Sequence, residues 1–205
     1  TLPATHKGEK TNWQNIPQIV GGQKVVKFSK KQATPLANVS IYYTADIPFT
    51  AQADLELDFL NRVLQIAYTD SVREEKGGTY GVRVGVNFDK DDRPTTMLRI
   101  SYNADPQRYD ELNPIVYEQL QNIANQGPTP SSMQKIKEYL VKQYQQVAIT
   151  NDYWIYIVWH QLDDDTDFDL DYCQMVEAMT PEQVQQMAQR LLAAQRCIEV
   201  TMLSE

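Results

Sequence analysis

Histidine is nearly missing from this chain: His6 and His160 are the only two in 205 residues. A catalytic zinc site needs about three protein ligands around the ion, and two distant histidines do not make one. Cysteine is as rare. Cys173 and Cys197 fall on apolar positions and in no Cys-x-x-Cys pattern, so they read as two buried thiols, with a disulfide left open by their spacing. Positive charge is short as well, 19 Lys and Arg against 27 Asp and Glu, a net charge of -8. That balance argues against a nucleic-acid binder, which needs a basic face. It favours solubility and, weakly, basic peptides. No apolar stretch approaches the ~20 residues of a membrane-spanning helix. The opening Thr1-Leu2-Pro3-Ala4 lacks the charged start and apolar core of a signal peptide. A first residue other than Met reads as a fragment or a processed product. The compartment is therefore open; bacterial periplasm and cytoplasm fit equally. No Gly-x-Ser-x-Gly elbow and no phosphate-binding loop occur, since Gly77-Gly78 is not followed by Lys-Ser/Thr. The acidic run Asp163 to Asp171 lacks the central Gly and closing Glu of a calcium loop and reads as a solvated loop.

What is present is a core. Hydrophobic residues make up 42% of the chain and charged residues 22%, the mixture of a folded globular domain. Residues 1–22 are polar, with Pro3, Gly8, Pro17, Gly21 and Gly22, and read as a linker or lead-in. Residues 23–205 read as a single domain. Lys24 to Ser29 suits an edge strand. Ala37 to Tyr43 suits a better one, with Val39, Ile41 and Tyr43 on one face.

From Ala51 to about Glu75, Leu55, Phe59, Val63, Ile66 and Ala67 recur at helical spacing behind Thr50 as a candidate N-cap. Tyr80, Val82, Val84, Val86 and Phe88 then alternate as a strand. Thr96 to Asn103 is its antiparallel partner. Helical patterns follow over 109–124, from Ser131 or Ser132 as cap to about Thr150, over 152–162 and over 169–179. Thr180-Pro181-Glu182 starts another, and Cys197 to Leu203 is a closing strand. The fold class is α+β: an antiparallel sheet with helices packed on one face, in the order ββαββ, several helices, β.

One run carries chemistry: Ser71-Val72-Arg73-Glu74-Glu75-Lys76-Gly77-Gly78-Thr79-Tyr80-Gly81, where the long helix gives way to a strand. Arg and Tyr both donate hydrogen bonds. Held near a Gly-Gly hinge, they suit a peptide carbonyl or an oxyanion. The residues alone also allow Arg73 to pair with a carboxylate at the helix end and Tyr80 to be a core aromatic of the strand.

The assembled pattern resembles one domain of the pitrilysin/insulinase (M16) family of zinc metallopeptidases. Arg73 to Val82 looks like the family's Arg-Glu-x-x-Gly-x-x-Tyr segment. Gly127 to Lys137 looks like its inter-helix turn, and Thr180 to Val184 like its final helix start. The resemblance covers residues 35 to 203 and implies the late, non-zinc half of such enzymes. There two halves close around a peptide, and zinc sits on a His-x-x-Glu-His helix of the first half.

By resemblance, Tyr80 hydrogen-bonds the scissile carbonyl. Arg73 binds substrate or positions that tyrosine, and Gly77 and Gly78 belong to the substrate-binding segment. No metal ligand is assigned in this chain. Zinc is expected in the complete enzyme, on an N-terminal domain or partner subunit, and the isolated chain is expected to be inactive. The alternative is a zinc-less structural or peptide-binding domain on the same fold. His160-Gln161-Leu162-Asp163-Asp164 copies the zinc motif's spacing but carries Asp at the base and second His. It is read instead as part of an aromatic patch with Trp154, Tyr156 and Trp159 at a helix interface. Tyr144, Tyr153, Trp154, Tyr156 and Trp159 suit either a core or a peptide-contacting surface.

Overall fold

The computed structural model describes residues 19–75, 79–89, 95–163 and 165–204, with the backbone alone for 71–75, 79 and 80. In chain order the elements are β1 (Gly22–Lys30), β2 (Ala37–Ala45), α1 (Ala51–Glu75), β3 (Thr79–Asp89) and β4 (Thr95–Ala104). Then come α2 (Tyr109–Gln126), α3 (Pro130–Val147), α4 (Asn151–Asp163), α5 (Tyr172–Ala178), α6 (Pro181–Ala193) and β5 (Arg196–Ser204). This is the α+β order that the patterning predicts.

The strands form one sheet in the order β1-β5-β2-β4-β3. Two details differ from expectation. First, β1 and β2 do not pair, because β5 inserts between them. Second, β1 runs parallel to β5, while the other three pairings are antiparallel. The reason lies in burial. β5 carries Cys197, Glu199 and Thr201 on its buried face, and a strand placed that deep needs a neighbour on each side for its backbone groups. Lysine-rich β1 is exposed along most of its length and blunts the sheet's edge.

The register brings the apolar alternation together. Val39, Ile41 and Tyr43 pair with Tyr102, Ile100 and Leu98, all buried. The opposite phase of β4 leaves Arg99 and Asn103 exposed, so the helices cover one face of the sheet.

α1 begins as expected, with Thr50 Oγ1 accepting from Ala53 N at 3.0 Å. Its apolar stripe runs on to Tyr68, which is 1% exposed and donates its hydroxyl to the Val116 carbonyl of α2 at 2.8 Å. α3 is capped two or three residues before the expected Ser131 or Ser132. Thr129 is the N-cap, accepting from Ser132 N at 3.2 Å, with Pro130 at the first helical position. Pro there gives up only an N–H that the helix leaves unpaired anyway. The turn before it uses Gly127 at φ 75°, where a Cβ would be strained. α6 carries a full capping box between Thr180 and Gln183.

Candidate functional site

Arg73 lies in the last turn of α1 and Tyr80 is the second residue of β3. Gly77 and Gly78, between them, lie outside the described residues, as do the side chains of Arg73 and Tyr80 themselves. What is described is how the two elements carrying the pair are held together.

The alternation of β3 is broken next to Tyr80. Thr79 pairs with Ala104, yet Val82 pairs with Tyr102, so the register shifts between them. Gly81 sits inside that shift at φ 118°, a conformation L side chains rarely adopt. A bulge of this kind bends a strand and re-aims the residues beside it, and bulges recur next to active sites. The pairing of β3 with β4 is therefore not continuous from Thr79 to Val82, where the sequence alternation suggests an unbroken strand.

A side chain that sequence reasoning passed over clamps the same place. Gln65 of α1 donates through Nε2 to the Val82 carbonyl at 2.7 Å and accepts through Oε1 from Val84 N at 3.1 Å. Its amide thus stands where a further strand would bond the outer edge of β3. Gln65 and Arg73 are two turns apart on one helix, so the clamp fixes the strand carrying Tyr80 against the helix carrying Arg73. Nothing in the sequence marks this glutamine; only the approach of β3 gives it a role.

Beneath the sheet lies a second unforeseen feature, a buried carboxylate. Glu199 of β5 is 4% exposed. It accepts from Tyr117 Oη at 2.8 Å, Asn113 Nδ2 at 3.1 Å and Thr201 Oγ1 at 3.3 Å. Asn113 Oδ1 in turn accepts from Tyr102 Oη. Burial, and then the bond to Glu199, hold the Tyr117 phenol well above its usual range. Burial, and then the charge of Glu199, raise the Tyr102 phenol as well. These phenols stay protonated and donate, so the network is a satisfied structural tie between β4, β5 and α2. Cys197 is buried in the same region, and desolvation raises its thiol. Cys173 is only half-buried, against the expectation of two buried thiols, and both cysteines are free.

His160 is 6% exposed. Its ring centroid lies 4.4 Å from that of Tyr156, 4.7 Å from Trp159 and 4.8 Å from Phe168. Phe168, from the loop before α5, replaces Trp154 in the expected aromatic patch. Among the described residues no group of three or more His, Cys, Asp or Glu side chains is placed to hold a metal ion.

The aromatic helix divides instead of joining one core. Tyr153 turns inward to Asp169, while Trp154, Tyr156 and Trp159 are 45–56% exposed. The acidic loop is likewise more than a solvated one. Asp167 Oδ1 accepts from the N–H groups of Asp169 and Leu170, and Asp169 accepts from two tyrosines. No helix among the described residues is long and apolar enough to cross a membrane.

The chain is thus an α+β domain in which a long helix is clamped to the bulged edge strand of a five-stranded sheet. It belongs to the family described as the peptidase M16 inactive domain, whose model matches residues 1–140. No curated protein sequence matches it.

Solved structures share the fold. The periplasmic protease PqqL from Escherichia coli matches with a TM-score of 0.76 at 19% identity, over 89% of this chain and 21% of that one. A protease from Helicobacter pylori matches with a TM-score of 0.76 at 15% identity, over 98% and 48%. A peptidase M16 inactive domain from Pseudomonas fluorescens matches with a TM-score of 0.70 at 16% identity, over 90% and 44%. The chain thus spans between a fifth and a half of the length of these proteins.

Proposed function

We propose that this chain is the substrate-side domain of a zinc-dependent endopeptidase, in which Arg73 and Tyr80 contact the peptide. The observation that carries the reading is family membership joined to the junction itself. The two residues stand on a helix and a strand that Gln65 ties together beside a bulge. Tyr80 donates its phenol hydrogen to the scissile carbonyl as that oxygen becomes negative. Arg73 binds the substrate backbone or orients the tyrosine, and Gly77-Gly78 lets the chain approach the peptide closely. Residues 1–22 serve as a lead-in, and 23–205 form the domain. With no metal-holding group among the described residues, zinc belongs to an N-terminal domain or partner subunit, where such an ion activates water.

The test uses the complete protein. Tyr80→Phe keeps the ring and removes the donor. It is expected to lower kcat by ~10²–10³, the usual worth of one oxyanion donor, with little change in KM or zinc content. An unchanged kcat removes the role from Tyr80. Zinc and peptidase activity both absent from the complete protein would leave the second reading, a structural or peptide-binding domain, which the family's description as inactive also favours.

A further inference from the structure

The helices cover one face of the sheet, and the register sets the side chains of the other face in rows. One row runs Lys24, Ile198, Tyr42, Arg99 and Gly85 from β1 across to β3. In the next, Ser40 pairs with Ser101 and Ser101 with Arg83.

A chain of net charge -8 turns cations outward here. Lys24, Lys30, Arg83, Arg99 and Arg196 share this phase of the five strands. Its one carboxylate among the described residues is Asp89, the last residue of β3, which is itself engaged. Arg196 is neutralised, because Nη1 and Nη2 donate to the two carboxylate oxygens of Asp46 at 2.7 and 2.8 Å.

Arg83 and Arg99 stand together. Gly85 is directly opposite Arg99, so Arg83, two residues before Gly85, is its diagonal neighbour. Such neighbours lie ~7–8 Å apart, within reach of long side chains. Gly85 puts no bulk beside them, and the place its Cβ would take has nothing within 4 Å. Both arginines are exposed. Among the described residues neither pairs with a carboxylate. Neutral groups orient Arg99 instead. Its guanidinium lies 5.5 Å from the centre of the Tyr42 ring, and Nη2 donates to Ser40 Oγ at 3.4 Å. A guanidinium has five N–H donors, so most of those on Arg99 stay available.

We infer that the open face of the sheet docks an acidic polypeptide segment, whose carboxylate side chains are bound by Arg83 and Arg99. Guanidinium and carboxylate are planar partners that meet at two points. In an extended segment, alternate side chains share a face ~7 Å apart, the spacing of the two arginines. Two acidic residues separated by one therefore meet both. A nucleic acid calls for a continuous track of cations under its phosphates. Here Ile198 and Tyr42 separate Lys24 from Arg99, and Phe28 and Ile198 are 47% and 41% exposed, ground that suits the mixed side chains of a polypeptide. The overall charge of the chain points the other way, towards basic peptides, but a whole-chain sum does not set the field over one face. The inference rests on the reading that this domain contacts a peptide, and it adds the chemical class of that peptide. Arg83 is three residues beyond Tyr80 on the same strand, ~10 Å, so the acidic residues fall within a few positions of the bond that Tyr80 addresses.

The test is binding, kept apart from catalysis. The complete protein, held in a metal chelator so that no cleavage intervenes, is titrated by calorimetry with two blocked peptides, Leu-Glu-Ala-Glu-Leu and Leu-Gln-Ala-Gln-Leu. The glutamate peptide is expected to bind about tenfold tighter, by a margin that shrinks with added salt. Arg83→Gln is expected to melt like the unsubstituted protein and to cut that preference about threefold, while Arg83→Lys, which keeps the charge, retains more of it. Equal affinity for the two peptides overturns the inference, as does the absence of saturable binding. A preference left intact when Arg83→Gln and Arg99→Gln are combined overturns it, and so does tighter binding of an oligothymidylate than of the glutamate peptide. The peptide ratio needs no variant, so a folding defect in the double substitution leaves the test intact. Equal binding alongside a lowered kcat in Tyr80→Phe sinks this inference alone. A glutamate preference alongside an unchanged kcat sinks the role of Tyr80 and leaves the docking face.

Discussion

α4 and α6 are both 13 residues long, and the more apolar of the two is the less buried. α6 places Val184, Met187, Ala188 and Leu191 at the spacing of one helical stripe, and all four are 0% exposed. Of its other positions, only Pro181, Leu192 and Ala193 are not polar. α4 reads Tyr153-Trp154-Ile155-Tyr156-Ile157-Val158-Trp159 without interruption, so whichever face turns inward, apolar residues remain outside. It buries only Ile157 and His160 and leaves Ile155 67%, Val158 53% and Leu162 82% exposed. Period, not hydrophobicity, decides what a helix can bury against a single layer.

The comparison can be broken or sharpened by stability measurements on the complete protein. Leu191→Ala removes a fully buried side chain and is expected to cost ~2–5 kcal/mol of unfolding free energy, read from denaturant midpoints. A smaller loss would mean that the α6 stripe is less tightly packed than its burial states. Thr180→Ala takes one half of the α6 capping box and is expected to cost ~1 kcal/mol. Thr180→Asn, another good capping residue, should recover most of that loss. Ile155→Ala, on the open face of α4, is expected to stay within ~0.5 kcal/mol. A cost approaching that of Leu191→Ala would break the comparison, because the outer face of α4 would then be covered in the complete protein.

Much of the fold is legible in the sequence because its signals are local and periodic. The stripe of α1, the alternation of β2 and β4, and the Thr-Pro start of α6 each specify an element and its buried face. The cap of α3 lies two or three residues before the expected serines. Thr129 and the two serines that follow Pro130 are all chemically able to cap, and the proline selects the residue before it. The candidate site was legible only as residue types. Arg73 and Tyr80 stand out by spacing and by the glycines between them, whereas Gln65 is an ordinary helix glutamine until a strand edge meets it.

The sequence by itself determined which segments are helix and strand, which faces are apolar, and that this chain carries too few histidines for a zinc site of the usual histidine-rich kind. Tertiary structure alone decided the strand order, with β5 inserted between β1 and β2. It also decided the clamp of Gln65 on β3, the carriage of Glu199 by α2 side chains, and the meeting of Arg83 and Arg99 on the open face of the sheet. The reason is physical. Periodicity reports a residue's neighbours within one element, while partners from distant segments are fixed by which surfaces the chain can bury together.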